Sequence, residues 1–199
     1  DSKKLLNLLR INPIEDEIIE ELYALVWTST NFSLGYQMKN DKEPQENYAE
    51  IVRIIISYKL ESYMHSQKEK STNTRKRIGL IAPQLSNHNG CNWSIGWLKG
   101  LSRDEDIEIF LYNTGDREDA LTEQFKELGT YKQITINGSD HKEGIEEIRK
   151  DNLDIMIFTD IGMAPSTVVT SQLKLAKTQI QGWGHPITSG SKHMDYYFS

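Results

Sequence analysis

The sequence predicts a doubly wound α/β domain on a parallel sheet, preceded by an all-α region. Three observations carry that expectation. From Arg77 onward, short apolar runs alternate five times with segments of helical spacing. The intervals fit right-handed strand–helix–strand crossovers, which lay strands side by side and parallel. Before residue 68, apolar residues recur at three and four and never alternate over a strand's length.

Residues 1–67 form the helical region. Leu5, Leu6, Leu8, Leu9 and Ile11 make one stripe, and Asn12-Pro13 ends or turns that helix. Ile18, Ile19, Leu22, Leu25 and Val26 mark a second helix, and a third follows Pro44 with Ile51, Ile54, Ile55, Tyr58 and Tyr63. Short joints predict antiparallel packing through these stripes. No clean internal repeat of about 34 residues stands out. Residues 68–76 read as a solvated linker, with an anion-binding patch as the alternative, because the stretch 68–77, KEKSTNTRKR, holds five basic residues and no apolar one.

Residues 77–199 then supply the sheet. RIGLIAP is the first strand and NWSIGWLKGL a helix; IEIFLYN (107–113) is the second strand, followed by a helix at 118–128. YKQITIN (131–137) and a helix at 140–151 come next, then the strand LDIMIFTD (153–160) and a helix at 165–176. TQIQGWG (178–184) is the fifth strand, and the closing DYYFS a last strand or linker.

Bulk properties narrow the function classes. A net charge of −6 argues against a surface built to neutralise nucleic-acid phosphates. The longest apolar candidate for a span, YALVW, is far too short to cross a bilayer. The start lacks the features of a secretory signal, and Cys91 is the only cysteine, so a cytoplasmic protein without intrachain disulfides is expected.

In doubly wound sheets, ligands bind beyond the carboxyl ends of the strands where the winding reverses. With strand order 3-2-1-4-5, the facing loops are 83–92 and 160–165, with 184–194 alongside. His88, flanked by Asn87 and Asn89, can act as general base or ligand anchor; the alternative is a surface-loop histidine. Gly90 permits close backbone approach or positive φ, and the amides at 90–93 open a helix suited to an anion. Pro186 restricts His185, and Thr188, Ser189 and Gly190 offer donors for sugar or phosphate oxygens; the alternative is a turn capped by its own side chains.

Other signals carry less. Asp104-Glu105-Asp106 precedes a strand, away from the crevice, and reads as a solvated turn. His65 and His141 lack metal-ligand partners at useful spacing, and His193 has no assigned role. There is no dinucleotide-binding Gly-x-Gly-x-x-Gly or Walker loop, and Ser102 lacks the setting of a hydrolase elbow. Cys91 reads as a small buried residue rather than a nucleophile.

The segment LKLAKTQIQGWGHPITSGSKHMDYYFS (173–199) resembles a motif of the protein O-GlcNAc transferase family. Leu173, Ala176, Gln179, Gly184, Pro186, Thr188, Ser189, Gly190, Asp195 and Tyr196 fall on the pattern, whereas Lys177 replaces its usual proline. RIGLIAPQLSNHNG (77–90) resembles the family's first strand and Asn-His loop, and LDIMIFTDIGM (153–163) its fourth strand. The all-α region resembles the family's amino-terminal part, tetratricopeptide-like in many members, only in a general way.

The resemblance implies a GT-B glycosyltransferase, with two Rossmann-like domains and an active site between them. It further implies inverting transfer of a sugar from a UDP donor to protein Ser or Thr, without a metal or other cofactor. His88 matches the family's active-site histidine, with Asn87, Gly90, Gly162, Met163, Gly184, His185, Pro186, Thr188, Ser189 and Gly190 as substrate- or donor-binding candidates. Asn92 stands where many members have a second histidine, and Arg149 where some have a further one. Expected partners are an acceptor protein or peptide, a UDP-sugar, and the donor-binding carboxyl-terminal domain that 77–199 does not contain. The expectation is therefore a fragment, inactive by itself. Two alternatives stand beside it: an Asn-directed or non-protein UDP-sugar transferase, and a non-catalytic interaction module.

Overall fold

A computed structural model describes residues 2–11, 14–66, 74–138 and 141–198. The Asn12-Pro13 turn and most of the 68–76 linker lie outside the described residues.

The first helices are α1 (Ser2–Ile11), α2 (Asp16–Val26) and α3 (Lys42–Leu60), and a short 3-10 turn, Glu61–Tyr63, follows α3. Helix α3 starts before Pro44 rather than after it, because proline is tolerated in a helix's first turn, where its amide would lack a partner. A 3-10 helix, Phe32–Gln37, joins α2 to α3 and was not expected from periodicity. None of its residues is buried, so it has no apolar stripe to read.

The sheet contains β1 (Lys76–Ala82), β2 (Ile107–Asn113), β3 (Thr130–Gln133), β4 (Leu153–Phe158), β5 (Ala176–Gln181) and β6 (Tyr196–Tyr197). Its order is β3-β2-β1-β4-β5-β6 with every pairing parallel. The connecting helices are α4 (Asn89–Asn92), α5 (Ser94–Leu101), α6 (Ala120–Lys126), α7 (His141–Lys150) and α8 (Pro165–Thr170). Phe125 and Leu98 join Ile78, Leu80, Ile109 and Leu111 on one face, while Ile145, Ile148, Val168 and Val169 join Phe110, Tyr112 and Phe158 on the other. The crossover helices therefore change faces as the winding reverses between β1 and β4, which defines the doubly wound sheet.

Helices α1–α3 belong to that second face. Leu6, Ile19, Tyr23, Val52, Ile55, Ile56 and Leu60 form one continuous core with it.

Three boundaries in the α/β region differ from expectation by three residues or more. The third strand stops at Gln133; the Ile134 amide still donates to the Asn113 carbonyl at 2.9 Å, and Ile134 and Ile136 bury their side chains beside Gly144 of α7. The helix expected over 165–176 ends at Thr170. There the hydroxyls of Thr170 and Ser171 return to the carbonyls of Ser166 and Val168 at 2.6 and 2.7 Å. The Gln179 carboxamide then accepts the amides of Leu175 and Ala176, starting β5 instead of another helical turn. The fifth strand ends at Gln181, because Gly182 lies under the Trp93 ring and turns the chain.

His141 ties α7 to the helical layer. Its Nδ1 meets the Asn137 carbonyl at 3.2 Å and its Nε2 the Tyr23 hydroxyl at 2.7 Å, with Trp27 stacked at 5.1 Å. The neutral ring satisfies both partners, Nδ1–H donating and Nε2 accepting. Burial, the largest cause, lowers its pKa from 6.5. The folded chain thus binds fewer protons than the unfolded one, and this contribution to stability declines as pH falls through 6.5. Urea midpoints should drop between about pH 7.5 and 5.5, and His141→Gln should flatten that slope. An unchanged slope in the variant would remove His141 as its source.

Candidate ligand crevice at the switch point

The loops after β1, β4 and β5 meet at the carboxyl end of the sheet. Gly184 packs directly on the backbone carbonyls of Gly90 and Thr159. A Cβ on Gly90 would lie 2.7 Å from the Met163 methyl, and one on Gly162 would lie 2.7 Å from His185 Cδ2. Residues almost 100 positions apart in the chain thus share one crevice. Gly162 has φ +124, a left-handed conformation that L side chains rarely adopt, and it gives the His185 ring its space.

His88 is half-buried and caps α4, its Nδ1 accepting the Gly90 amide at 3.1 Å. A neutral imidazole with Nδ1 as acceptor carries its proton on Nε2. The outer nitrogen is then a hydrogen-bond donor rather than a base. Asn92 locks the loop: its Oδ1 accepts the His88 amide and its Nδ2 donates to Asn87, both at 3.1 Å. The Asn87 amide in turn donates to Asp119 at 2.8 Å.

The anion site expected at 90–93 is not formed. The Gly90 amide goes to His88 Nδ1, and those of Cys91 and Asn92 go to the His88 carbonyl at 3.1 and 3.0 Å. Nor does Gly90 use positive φ; its role is close approach. The Cys91 thiol is buried and donates toward the Gln84 carbonyl at 2.8 Å. Burial pushes its pKa up to about 11, which leaves it unreactive as a nucleophile.

The 184–190 loop is fastened rather than open. Gln181, buried on β5, donates to the Ile187 carbonyl at 2.7 Å and accepts the Ser189 amide at 3.1 Å. The hydroxyls of Thr188 and Ser189 accept the amides of Gly190 and Ser191 at 3.2 and 3.3 Å, the self-capped turn weighed above. Gly190 lies against the Gln45 carbonyl of α3. His185 is 2 % exposed, under Phe32 of the 3-10 helix at 5.1 Å between ring centroids, and burial lowers its pKa. Pro186 and Thr188 are exposed. The loop beyond 190 is held by Gln179 and Asp195: Gln179 Nε2 donates to the Leu173 and His193 carbonyls, and Asp195 accepts the Gln179 amide at 2.8 Å.

Arg149 lies away from the crevice. It donates to the Ser62 carbonyl at 3.0 Å and covers the Tyr63 ring near the amino end of β4. Asp104 accepts the Asp106 amide at 2.9 Å in the turn before β2, also at the sheet's amino end. Among the described residues, no group of three or more His, Cys, Asp or Glu is placed to hold a metal ion, and no helix is long and apolar enough to cross a membrane.

Sequence reasoning missed Asp160. It follows β4 by two residues, is 1 % exposed, and leaves Oδ1 without a hydrogen-bond partner. An acid inside the 160–165 loop was the available signal. Phe32 was also missed, because its contact with His185 spans most of the chain.

No protein-family model and no curated protein matches the sequence. Among solved structures, a mutant O-GlcNAc transferase from Thermobaculum terrenum shares the fold, with a TM-score of 0.59 at 17% identity over 98% of this chain. The chain covers 36% of the length of that neighbour.

Proposed function

We propose that this chain is part of an inverting protein glycosyltransferase that moves a sugar, N-acetylglucosamine, from UDP to Ser or Thr of an acceptor protein. The observation that carries this reading is the meeting of the 83–92, 160–165 and 184–190 loops at the switch point, in a sheet with the fold of an O-GlcNAc transferase. The resemblance of 173–196 to that family's motif adds to it.

In such a transfer, His88 Nε2–H would donate to an oxygen of the ligand, stabilising negative charge that develops on the departing group. Because Nδ1 is engaged by Gly90, proton abstraction from the acceptor falls to another group. No metal enters this scheme. A second domain would supply the other wall of the cleft and most nucleotide contacts.

The test is mass mapping of acceptor peptides after incubation with UDP-N-acetylglucosamine and the product of the full reading frame. Ser- or Thr-linked sugar is the expected result; Asn-linked sugar would move the protein to the alternative acceptor class. No transfer, with peptide binding intact, would leave a non-catalytic module, a reading favoured by the self-capped hydroxyls at 188–189. In the active protein, His88→Ala should lower kcat on the order of 10²-fold, the effect of removing one donor to developing charge. The 199-residue chain alone should bind the donor more weakly than micromolar. With few contacts remaining, an association cost of roughly 4–15 kcal/mol leaves little net affinity.

A further inference from the structure

Four buried side-chain polar atoms among the described residues have no hydrogen-bond partner: Trp27 Nε1, Ser86 Oγ, Asp160 Oδ1 and His185 Nε2. The last three belong to the loops after β1, β4 and β5, one from each of the loops that meet at the switch point. Buried polar groups are nearly always paired, so three orphans at one switch point call for a ligand or an ordered water.

Asp160 differs from the other buried acids. Glu50 is held by Arg53 at 2.8 Å and Lys192 at 3.0 Å, and Asp151 by Lys132 at 2.8 Å. Among the described residues no cation pairs with Asp160; the Met163 amide and the hydroxyls of Thr159 and Thr167 face its carboxylate. Burial accordingly pushes its pKa up to about 6. The Met163 methyl lies against Gly90, and Phe32 stacks on His185. Methionine has three soft torsions and fits a movable plug.

We propose that Asp160 Oδ1, His185 Nε2 and Ser86 Oγ form a subsite for a neutral polyhydroxyl ligand, a sugar ring, entered when the Met163 side chain leaves Gly90. A hydroxyl both donates and accepts, so one hydroxyl satisfies the carboxylate while a neighbouring one meets the imidazole or the serine. A phosphate would place a second negative charge beside an uncompensated buried carboxylate and is excluded. A metal ion lacks its ligand set here. The subsite thus takes the sugar or acceptor alcohol, and the diphosphate binds elsewhere. This rests on reading the crevice as the transferase site.

Carboxyl and imidazole NMR signals of Asp160 and His185, followed during titration of the 199-residue chain with free N-acetylglucosamine and separately with UDP, provide the test. The sugar should shift both residues in the millimolar range, and UDP should leave Asp160 unmoved. Asp160→Asn should weaken sugar binding at least tenfold, and Met163→Ala should strengthen it. The wild-type signals give the answer even if a variant folds poorly. Unmoved Asp160 signals in saturating sugar would mean that the orphans hold only internal water, and the subsite would be refuted. Equal shifts with UDP would refute it as well. Sugar binding through Asp160 in a protein that transfers nothing would refute the transferase reading alone; transfer with an indifferent Asp160 would refute the subsite alone.

Discussion

Gly184→Ala should destabilise the fold by about 2–4 kcal/mol. The new Cβ would meet two backbone carbonyls, those of Gly90 and Thr159. Neither is the end of a flexible side chain that can swing aside. The Thr159 carbonyl also accepts the Gly184 amide at 3.0 Å, so the β4 and β5 loops would have to part and break that bond. Gly162→Ala provides the contrast. It combines positive φ with a clash against His185, but an imidazole ring can rotate away where a carbonyl cannot. Chemical denaturation of both variants checks the order. A Gly184→Ala protein within about 0.5 kcal/mol of wild type would mean that the three loops do not meet as described.

The parts of this fold that were legible in the sequence are those set by period and punctuation. The strand 107–113 is bounded as expected, because its buried run is flanked by an Asp-rich turn and by Thr-Gly. The first five strands take the usual order of a doubly wound sheet, and the meeting of the loops followed from that order. What stayed hidden depends on side chains answering distant backbone. Helix α8 ends early because Thr170 and Ser171 bond backward and Gln179 bonds from the next strand. The 3-10 helix over the crevice buries nothing of its own, so only Phe32 on His185 reveals its purpose.

The family-like motif at 173–196 also divides once the contacts are known. Gln179 and Asp195 fasten backbone, Thr188 and Ser189 cap their own turn, and Gly184 permits close approach. Much of that pattern therefore shapes the crevice wall through contacts within the chain. His185 is the motif residue that retains an unpaired buried atom. Asp160 sits outside the motif and was invisible for a different reason: it is defined by the cation that is missing around it.

That missing cation leads to the second large effect. Asp160→Asn should stabilise the protein by about 2–3 kcal/mol at pH 7.5, although it removes a buried charged group beside the sheet. Burial raises the folded pKa from 3.8 to about 6. The protonated carboxyl therefore contributes stability that is fully present below pH 3.8 and lost as pH rises through about 6. At neutral pH, the folded chain holds an ionised carboxylate with no counter-charge among the described residues, while the neutral asparagine bears no such cost. The gap between variant and wild type should be small near pH 4, open between pH 4 and 6, and stay constant above. Urea unfolding across that range reads it directly. The sign is opposite to that of His141, so the two contributions separate by pH. A stability gain coupled to loss of sugar binding is the pattern of a residue retained for a ligand rather than for the fold. Equal destabilisation by Asp160→Asn at every pH would mean that the carboxylate already has its partners, and the subsite built on its unpaired oxygen would fall with it.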